Sequence, residues 1–308
     1  MSEYSRSTIL FNATGIGLGV FLAGYVIKAA LITESAPICS PRYSSAMEFA
    51  LNSETGTAMT PIELQARTGF QSWGLLENAS VVEGAGAPQS SVMQVALHEG
   101  TGSIYQEGVK PGGVRYQWNP SGMNGAAAAC LTYSVWMPEE FDFGQGGVLP
   151  GLFGGEKYDP KARANGTNGF AARFVWRNGG LGELSVQIPD LAALNAEKGG
   201  GKIDVDFPVD PTALSVTIGS AGFFLPRGRW MSFEQELVLN SPGQADGLVR
   251  LWMDGVLRVE KTGLVWRTDE TLTLTGVTGD VSYGGLDSDA VAPADTAIQI
   301  SPISVRWN

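Results

Sequence analysis

The side chains best placed to do chemistry lie on three stretches of alternating character. In Phe170–Arg177, Ala171, Arg173, Val175 and Arg177 fall on one side of an extended chain, with Phe174 and Trp176 on the other. In Glu183–Ile188, Leu184, Val186 and Ile188 turn one way and Ser185 and Gln187 the other. In Val114–Trp118, Val114, Tyr116 and Trp118 share a face and leave Arg115 and Gln117 opposite. Strands laid side by side can bring Arg173, Ser185 and Gln187 onto one polar face, joined by Arg115 and Gln117. A guanidinium on such a face pairs with a carboxylate, either of the sheet itself or of a ligand.

Each remaining candidate has two readings. Arg177 sits near a turn, as a solvated charge or a groove residue. Tyr283, before Gly284-Gly285, reaches a groove mouth or packs in the core. His98, the single histidine, is a surface residue or a general base. One histidine leaves no His-rich metal site, and no cofactor is expected; a calcium site built of oxygens alone stays open. Lys157, Lys161 and Arg163 form a basic, solvent-facing loop. Asn78 and Asn165 head glycosylation sequons. Cys39 and Cys130 are either two unrelated thiols or one disulfide, the latter if both lie outside the cytoplasm.

These residues need a frame, and the pattern points to strands. The chain has 308 residues, 41 of them glycine, and a formal net charge of -11. An acidic surface excludes nucleic acid as a general partner. Residues 8–27 are apolar and uncharged, long enough to span a bilayer as a helix. This gives an expected N-terminal membrane anchor over 1–34, with the C-terminal domain extracytoplasmic, or secreted if the segment is cleaved. Gly15 and Gly19 form a small-residue pair through which such helices pack, a route to a homo-oligomer. Residues 35–90, with Pro37, Pro41 and Pro61 and the run 83–91, read as a stem. From 91 to 308 strand signals dominate, among them Met253-Asp-Gly-Val256, whose Asp-Gly centre marks a tight hairpin. An all-β sandwich or barrel follows.

The order of several motifs narrows the choice. Phe141-Asp-Phe-Gly-Gln-Gly-Gly-Val-Leu-Pro-Gly-Leu-Phe-Gly-Gly155, Gly169-Phe-Ala-Ala-Arg-Phe-Val-Trp-Arg-Asn-Gly179 and Asp246-Gly-Leu-Val-Arg-Leu-Trp-Met-Asp-Gly255 together resemble the alginate- and glucuronan-type polysaccharide lyases, families 14 and 20. The resemblance implies a jelly-roll sandwich of two antiparallel sheets with a concave groove for sugar. It also implies β-elimination on a 4-linked uronan, an acidic polysaccharide. That reaction needs a group to neutralise the uronate carboxylate, a base for the C5 proton and an acid for the leaving oxygen. Carried over by position, the family's lysine falls at Val148, its serine at Ala171 and its two tyrosines at Ser185 and Gln187. Only the arginine, Arg173, is retained as a catalytic candidate. The substrate-binding candidates are Arg115, Gln117, Arg173, Arg177, Ser185, Gln187 and Tyr283.

Three functions are compatible with this pattern. One is a membrane-anchored module that binds an acidic polysaccharide with weak or no elimination. Another is an active lyase that draws its acid and base from elsewhere in the groove. The third is a structural protein that uses the jelly roll as an interaction head. An exposed groove aromatic favours binding, a tyrosine beside Arg173 favours the lyase, and a groove filled by side chains favours the structural role.

Overall fold

The computed structural model describes residues 36–68, 72–156, 158–189, 213–286 and 288–308. The expected membrane span, 8–27, lies outside them. Among the described residues no helix is long and apolar enough to cross a membrane. All elements below belong to the unit Ile38–Asn308.

In chain order the strands are β1 (Ser45–Phe49), β2 (Ala79–Glu83), β3 (Ser91–Leu97), β4 (Thr101–Gly102), β5 (Lys110–Pro111), β6 (Gln117–Trp118), β7 (Ala128–Trp136), β8 (Gly146–Gly154), β9 (Phe170–Arg177), β10 (Leu181–Gln187), β11 (Val216–Phe224), β12 (Trp230–Val238), β13 (Gly247–Met253), β14 (Val256–Leu264), β15 (Leu274–Thr278), β16 (Ser282–Tyr283), β17 (Thr296–Ile300) and β18 (Ile303–Trp307). The first sheet runs β14-β13-β12-β7-β17-β3-β2, with β18 paired to β7 and β1. The second runs β11-β10-β9-β8-β15-β6, with β16 on β8. Two large antiparallel sheets over one core, with only short helices, agree with the jelly roll expected.

Alternation along the strands sends one set of side chains into that core. Phe174, Trp176, Leu184 and Val186 come from the second sheet, and Tyr133, Phe233, Leu237 and Leu251 from the first. The Phe174 and Phe233 rings meet with centroids 4.7 Å apart. Gln235 points into this apolar layer with both amide atoms bonded: its Oε1 accepts from Leu152 N at 2.9 Å, and its Nε2 donates to Ala172 O at 3.0 Å. One polar side chain of the first sheet thus grips β8 and β9 of the second, the strands that carry the candidate site. The predicted Asp-Gly hairpin joins β13 to β14. Asp254 and Gly255 both take positive φ, 52° and 74°, as a two-residue turn of this hand requires.

Within 35–90, read above as a stem, β1 pairs with β18 and β2 with β3. Phe49, Leu51, Leu64 and Leu75 from the same stretch lie in the core. A helix α1 (Pro61–Thr68) starts at a reciprocal cap. Thr60 N donates to the Glu63 carboxylate at 2.7 Å, and Glu63 N donates to Thr60 Oγ1 at 3.4 Å.

Cys39 and Cys130 are joined in a disulfide that pins residues 39–43 across the outer face of the first sheet. Glu234 accepts from the backbone N–H of Cys39 at 3.0 Å and of Ser40 at 3.1 Å. Glu236 accepts from Tyr43 Oη at 2.7 Å and pairs with Arg42 at 2.9 Å and Arg250 at 3.0 Å. The bond closes a loop with a sequence separation of 91. Opening it in Cys39→Ala/Cys130→Ala removes about 4.6 kcal/mol by the chain-entropy argument. A thermal melt of the full chain is expected to show a Tm lower by roughly 9–18 °C.

Candidate functional site

Strand register decides which polar side chains meet. Ser185 lies opposite Arg173 and Gln187 opposite Ala171 across β10 and β9. On the other flank Gly151 lies opposite Arg173 and Val148 opposite Val175. Directly paired residues of antiparallel strands share a face. Val148, Ala171, Arg173, Ser185 and Gln187 therefore lie together on the outer face of the second sheet, as the alternation predicts. Gly151 is required there: a Cβ would sit 2.0 Å from Ala172 O and 2.6 Å from Arg173 Cα.

Arg173 is sealed in, at 2 % exposed, although it stands on the face away from the core. Two loops cover it. The loop after β8 brings Tyr158, whose hydroxyl oxygen is 2.5 Å from Arg173 Nη2. The Tyr158 ring packs on Phe153 and Ala171, a small apolar cluster apart from the main core. Gln187 accepts from Arg173 Nη1 at 3.1 Å and from the Tyr158 hydroxyl, and its Nε2 donates to Pro160 O at 2.9 Å, tying the loop down. The loop after β4 brings Tyr105, whose hydroxyl donates to Asp280 at 3.4 Å and accepts from Arg115 Nε at 2.7 Å.

Asp280 supplies the counter-charge. Its Oδ2 is 3.0 Å from Arg173 Nε, and both side chains are buried. The N–H is misaligned for a hydrogen bond at that distance, so the contact is mainly an ion pair. A charge this deeply buried persists only when paired. Burial alone would lower the Arg173 pKa, but Tyr158, Asp280 and Tyr105 outweigh it and raise it above its usual value. Burial likewise pushes the Tyr158 phenol up to about 12, with Arg173 pulling the other way, and the Tyr105 phenol well above its usual value. Both phenols hold their protons at neutral pH.

The space left beside Arg173 is a cavity of about 30 Å³, lined by Tyr105, Val148, Val175, Ser185, Asp280 and Leu286 among others. That is room for one or two waters. Small-molecule pockets usually have about 300 Å³ or more. Among the described residues, the space beside Arg173 is too small for a sugar ring.

The other sequence candidates divide. Arg115 joins the cluster through Tyr105, over whose ring its guanidinium lies at 5.5 Å. Gln117 is buried nearby, with Nε2 3.5 Å from Tyr158 O, the limit of a hydrogen bond. Arg177 shares the face but pairs with Glu183 at 2.8 Å. Tyr283 does not join them: it is 1 % exposed, stacks on Phe141, meets Trp176 edge to face and donates to the Asp142 carbonyl. Of its two readings, core packing is the one observed. His98 is exposed beside Asp295, at 3.5 Å. Lys161 and Arg163 are exposed, and Lys157 lies outside the described residues. Tyr105, Tyr158 and Asp280 were not anticipated. All three come from irregular segments, where no period marks a side chain's direction.

The fold and this outer face define a polysaccharide-lyase-type sandwich. A family model for polysaccharide lyase 14 matches residues 86–302, and the chain belongs to that family. Among solved structures, the family-14 alginate lyase of Aplysia kurodai superposes with a TM-score of 0.62 at 24 % identity, over 78 % of this chain and 90 % of that one. An alginate lyase from Chlorella virus gives 0.60 at 19 %, over 75 % and 89 %. The alginate lyase Aly36B gives 0.60 at 17 %, over 86 % and 97 %. At these identities the structures establish the fold. No curated protein matches the sequence.

Two outcomes follow from the buried pair. Asp280→Ala strands the guanidinium and is expected to cost about 3–5 kcal/mol, whereas Arg173→Met/Asp280→Leu recovers most of that loss; denaturant midpoints read both. Folding also favours the protonated Tyr158 phenol. That contribution is complete below the ordinary phenol value of 10.0 and is lost as pH rises to about 12. Stability is expected to fall across that window, less steeply in Tyr158→Phe.

Proposed function

We propose that this chain is a glycan-binding member of its family, which keeps the lyase frame but has given up β-elimination. Its ligand is an acidic polysaccharide of the uronan class. The observation that carries the reading is the Arg173–Asp280 pair. Elimination needs a free positive or hydrogen-bonding group at the uronate carboxylate. Here the guanidinium is already matched by the carboxylate of Asp280, from the segment between β15 and β16, and covered by Tyr158 and Tyr105. Val148 and Ala171 offer no polar atom in their side chains, and neither Ser185 nor Gln187 has the acid–base range of a phenol.

A second reading, an active lyase, draws on one observation: Tyr158 stands 2.5 Å from Arg173, close enough for an acid–base partnership. It requires the two covering loops to open and Asp280 to release Arg173. In both readings the domain is placed outside the cytoplasm, supported by the disulfide and by the apolar stretch 8–27.

Calorimetric titration of the full chain with alginate and glucuronan oligosaccharides, followed by mass analysis of the recovered sugar, tests the proposal. Saturable binding with sugar of unchanged length is expected. Shortened, unsaturated products would establish the lyase instead. Absence of binding to either uronan would overturn the binding reading and leave the structural one.

A further inference from the structure

The outer face of the first sheet, on the side of the sandwich away from Arg173, carries a strip of its own. On β12, Trp230 precedes Met231 and Phe233 in alternation; Met231 and Phe233 fill the core, so Trp230 points outward. The same alternation turns out Trp136 of β7, Gln299 of β17, Gln94 of β3 and Ser80 of β2, whose neighbours Val135, Ile298, Met93 and Ala79 lie in the core. Register joins the five. Trp230 lies opposite Trp136, Trp136 opposite Gln299, Gln299 opposite Gln94 and Gln94 opposite Ser80. They make one unbroken row across five neighbouring strands, and all five residues are half-buried. With adjacent strands about 4.8 Å apart, the row is roughly 19 Å long, the length of a short oligosaccharide.

The row suits a ligand without charge. None of its five side chains is ionisable. The pairs beside it are uncharged as well: Ser232 with Ser134 and Val82 with Val92 on one side, Ala297 with Ala96 on the other. Serine and alanine are short, so the two indoles stand above their flanks. The Trp230 Nε1–H donates to Ala85 O at 3.1 Å, which fixes the edge of that ring against the loop after β2. Gln299 Nε2 donates to Gln94 Oε1 at 3.1 Å, which orients both amides and leaves an acceptor on Gln299 and a donor on Gln94. Next to the strand ends on this side stand Glu77, Glu99, Glu139 and Asp295 against Arg227 and Arg229, and Arg229 is paired with Asp254 at 2.8 Å. That balance does not draw a uronate to this face.

We infer that the row Trp230, Trp136, Gln299, Gln94 and Ser80 binds an extended chain of a neutral polysaccharide. The indoles take the apolar C–H faces of successive sugar rings, as large rings at a half-wet surface can. The amides and the serine hydroxyl exchange hydrogen bonds with the sugar hydroxyls, which donate and accept as they do. A second copy of the chain is the competing occupant of an aromatic surface. The inference goes beyond the proposed binding of uronan and does not depend on it.

The test is calorimetric titration of the full chain with cellohexaose, mannohexaose and xylohexaose as neutral probes, and with an alginate hexasaccharide. Wild type is compared with Trp136→Ala, Trp230→Ala, Trp230→Tyr and Gln299→Leu, each checked by thermal melt and gel filtration. Saturable binding of at least one neutral probe by wild type is expected. Affinity falls about tenfold or more in each alanine variant, a difference of about 1.4 kcal/mol, and falls in Gln299→Leu, but is kept in Trp230→Tyr. Alginate affinity is the same in every form. If an alanine variant melts early, Gln299→Leu, which leaves both rings in place, decides. Failure of wild type to bind any neutral probe, or wild-type affinity in the altered forms, would overturn the inference. Loss of alginate binding in the tryptophan variants would make the row a uronan site and overturn the neutral class. A wild-type dimer that Trp230→Ala turns into a monomer would assign the row to a second copy. Absence of alginate binding by wild type, with the neutral probe bound, would remove the proposed function and leave this inference standing.

Discussion

A guanidinium buried on the outer face of a sheet sets the terms for everything around it. Desolvating a charge costs several kcal/mol unless a counter-charge and hydrogen bonds replace the lost water. Asp280, Gln187 and Tyr158 supply that replacement for Arg173, and Tyr105 and Arg115 extend the network outward. The loops that carry Tyr158 and Tyr105 are drawn over the sheet by these contacts. The covered face is therefore an electrostatic consequence of one retained side chain as much as of apolar packing by Phe153 and Ala171.

The same interaction separates fold from chemistry. The frame is two antiparallel sheets, with Gln235 bridging them and glycine at 151, where a Cβ would meet the Ala172 carbonyl. A frame of this kind hosts catalysis only through the groups grafted on it. Here the retained arginine is satisfied from within, so its charge is spent inside the protein.

What the sequence reveals follows from periodicity. Alternation in 170–177 and 183–188 puts Arg173, Ser185 and Gln187 on one face, and the register confirms it residue by residue. The Asp254-Gly255 hairpin was legible because its turn demands two positive φ values. Asp280 and Tyr158 were invisible because loops have no period, although pairing of Arg173 with a carboxylate of the sheet was one of its two readings. Tyr283, next to a Gly-Gly pair, kept two readings until packing on Phe141 and Trp176 decided for the core. The positions of strands β1 and β2 within 35–90 were not legible, because five-residue strands in a stretch rich in Pro, Ser and Gly leave little pattern. The disulfide stayed open because two cysteines so distant in sequence declare nothing about their separation in space.

The central claim is that the Arg173 charge is occupied by Asp280 and stays so when a uronan is present. The most direct measurement is the nitrogen–proton correlation of the Arg173 side-chain Nε–H, assigned with Arg173→Lys, while alginate oligosaccharide is titrated into the full chain. A resonance protected from solvent exchange and unmoved at saturating sugar is predicted. A resonance that shifts with the sugar would show that the pair opens to receive a uronate, and would contradict the account.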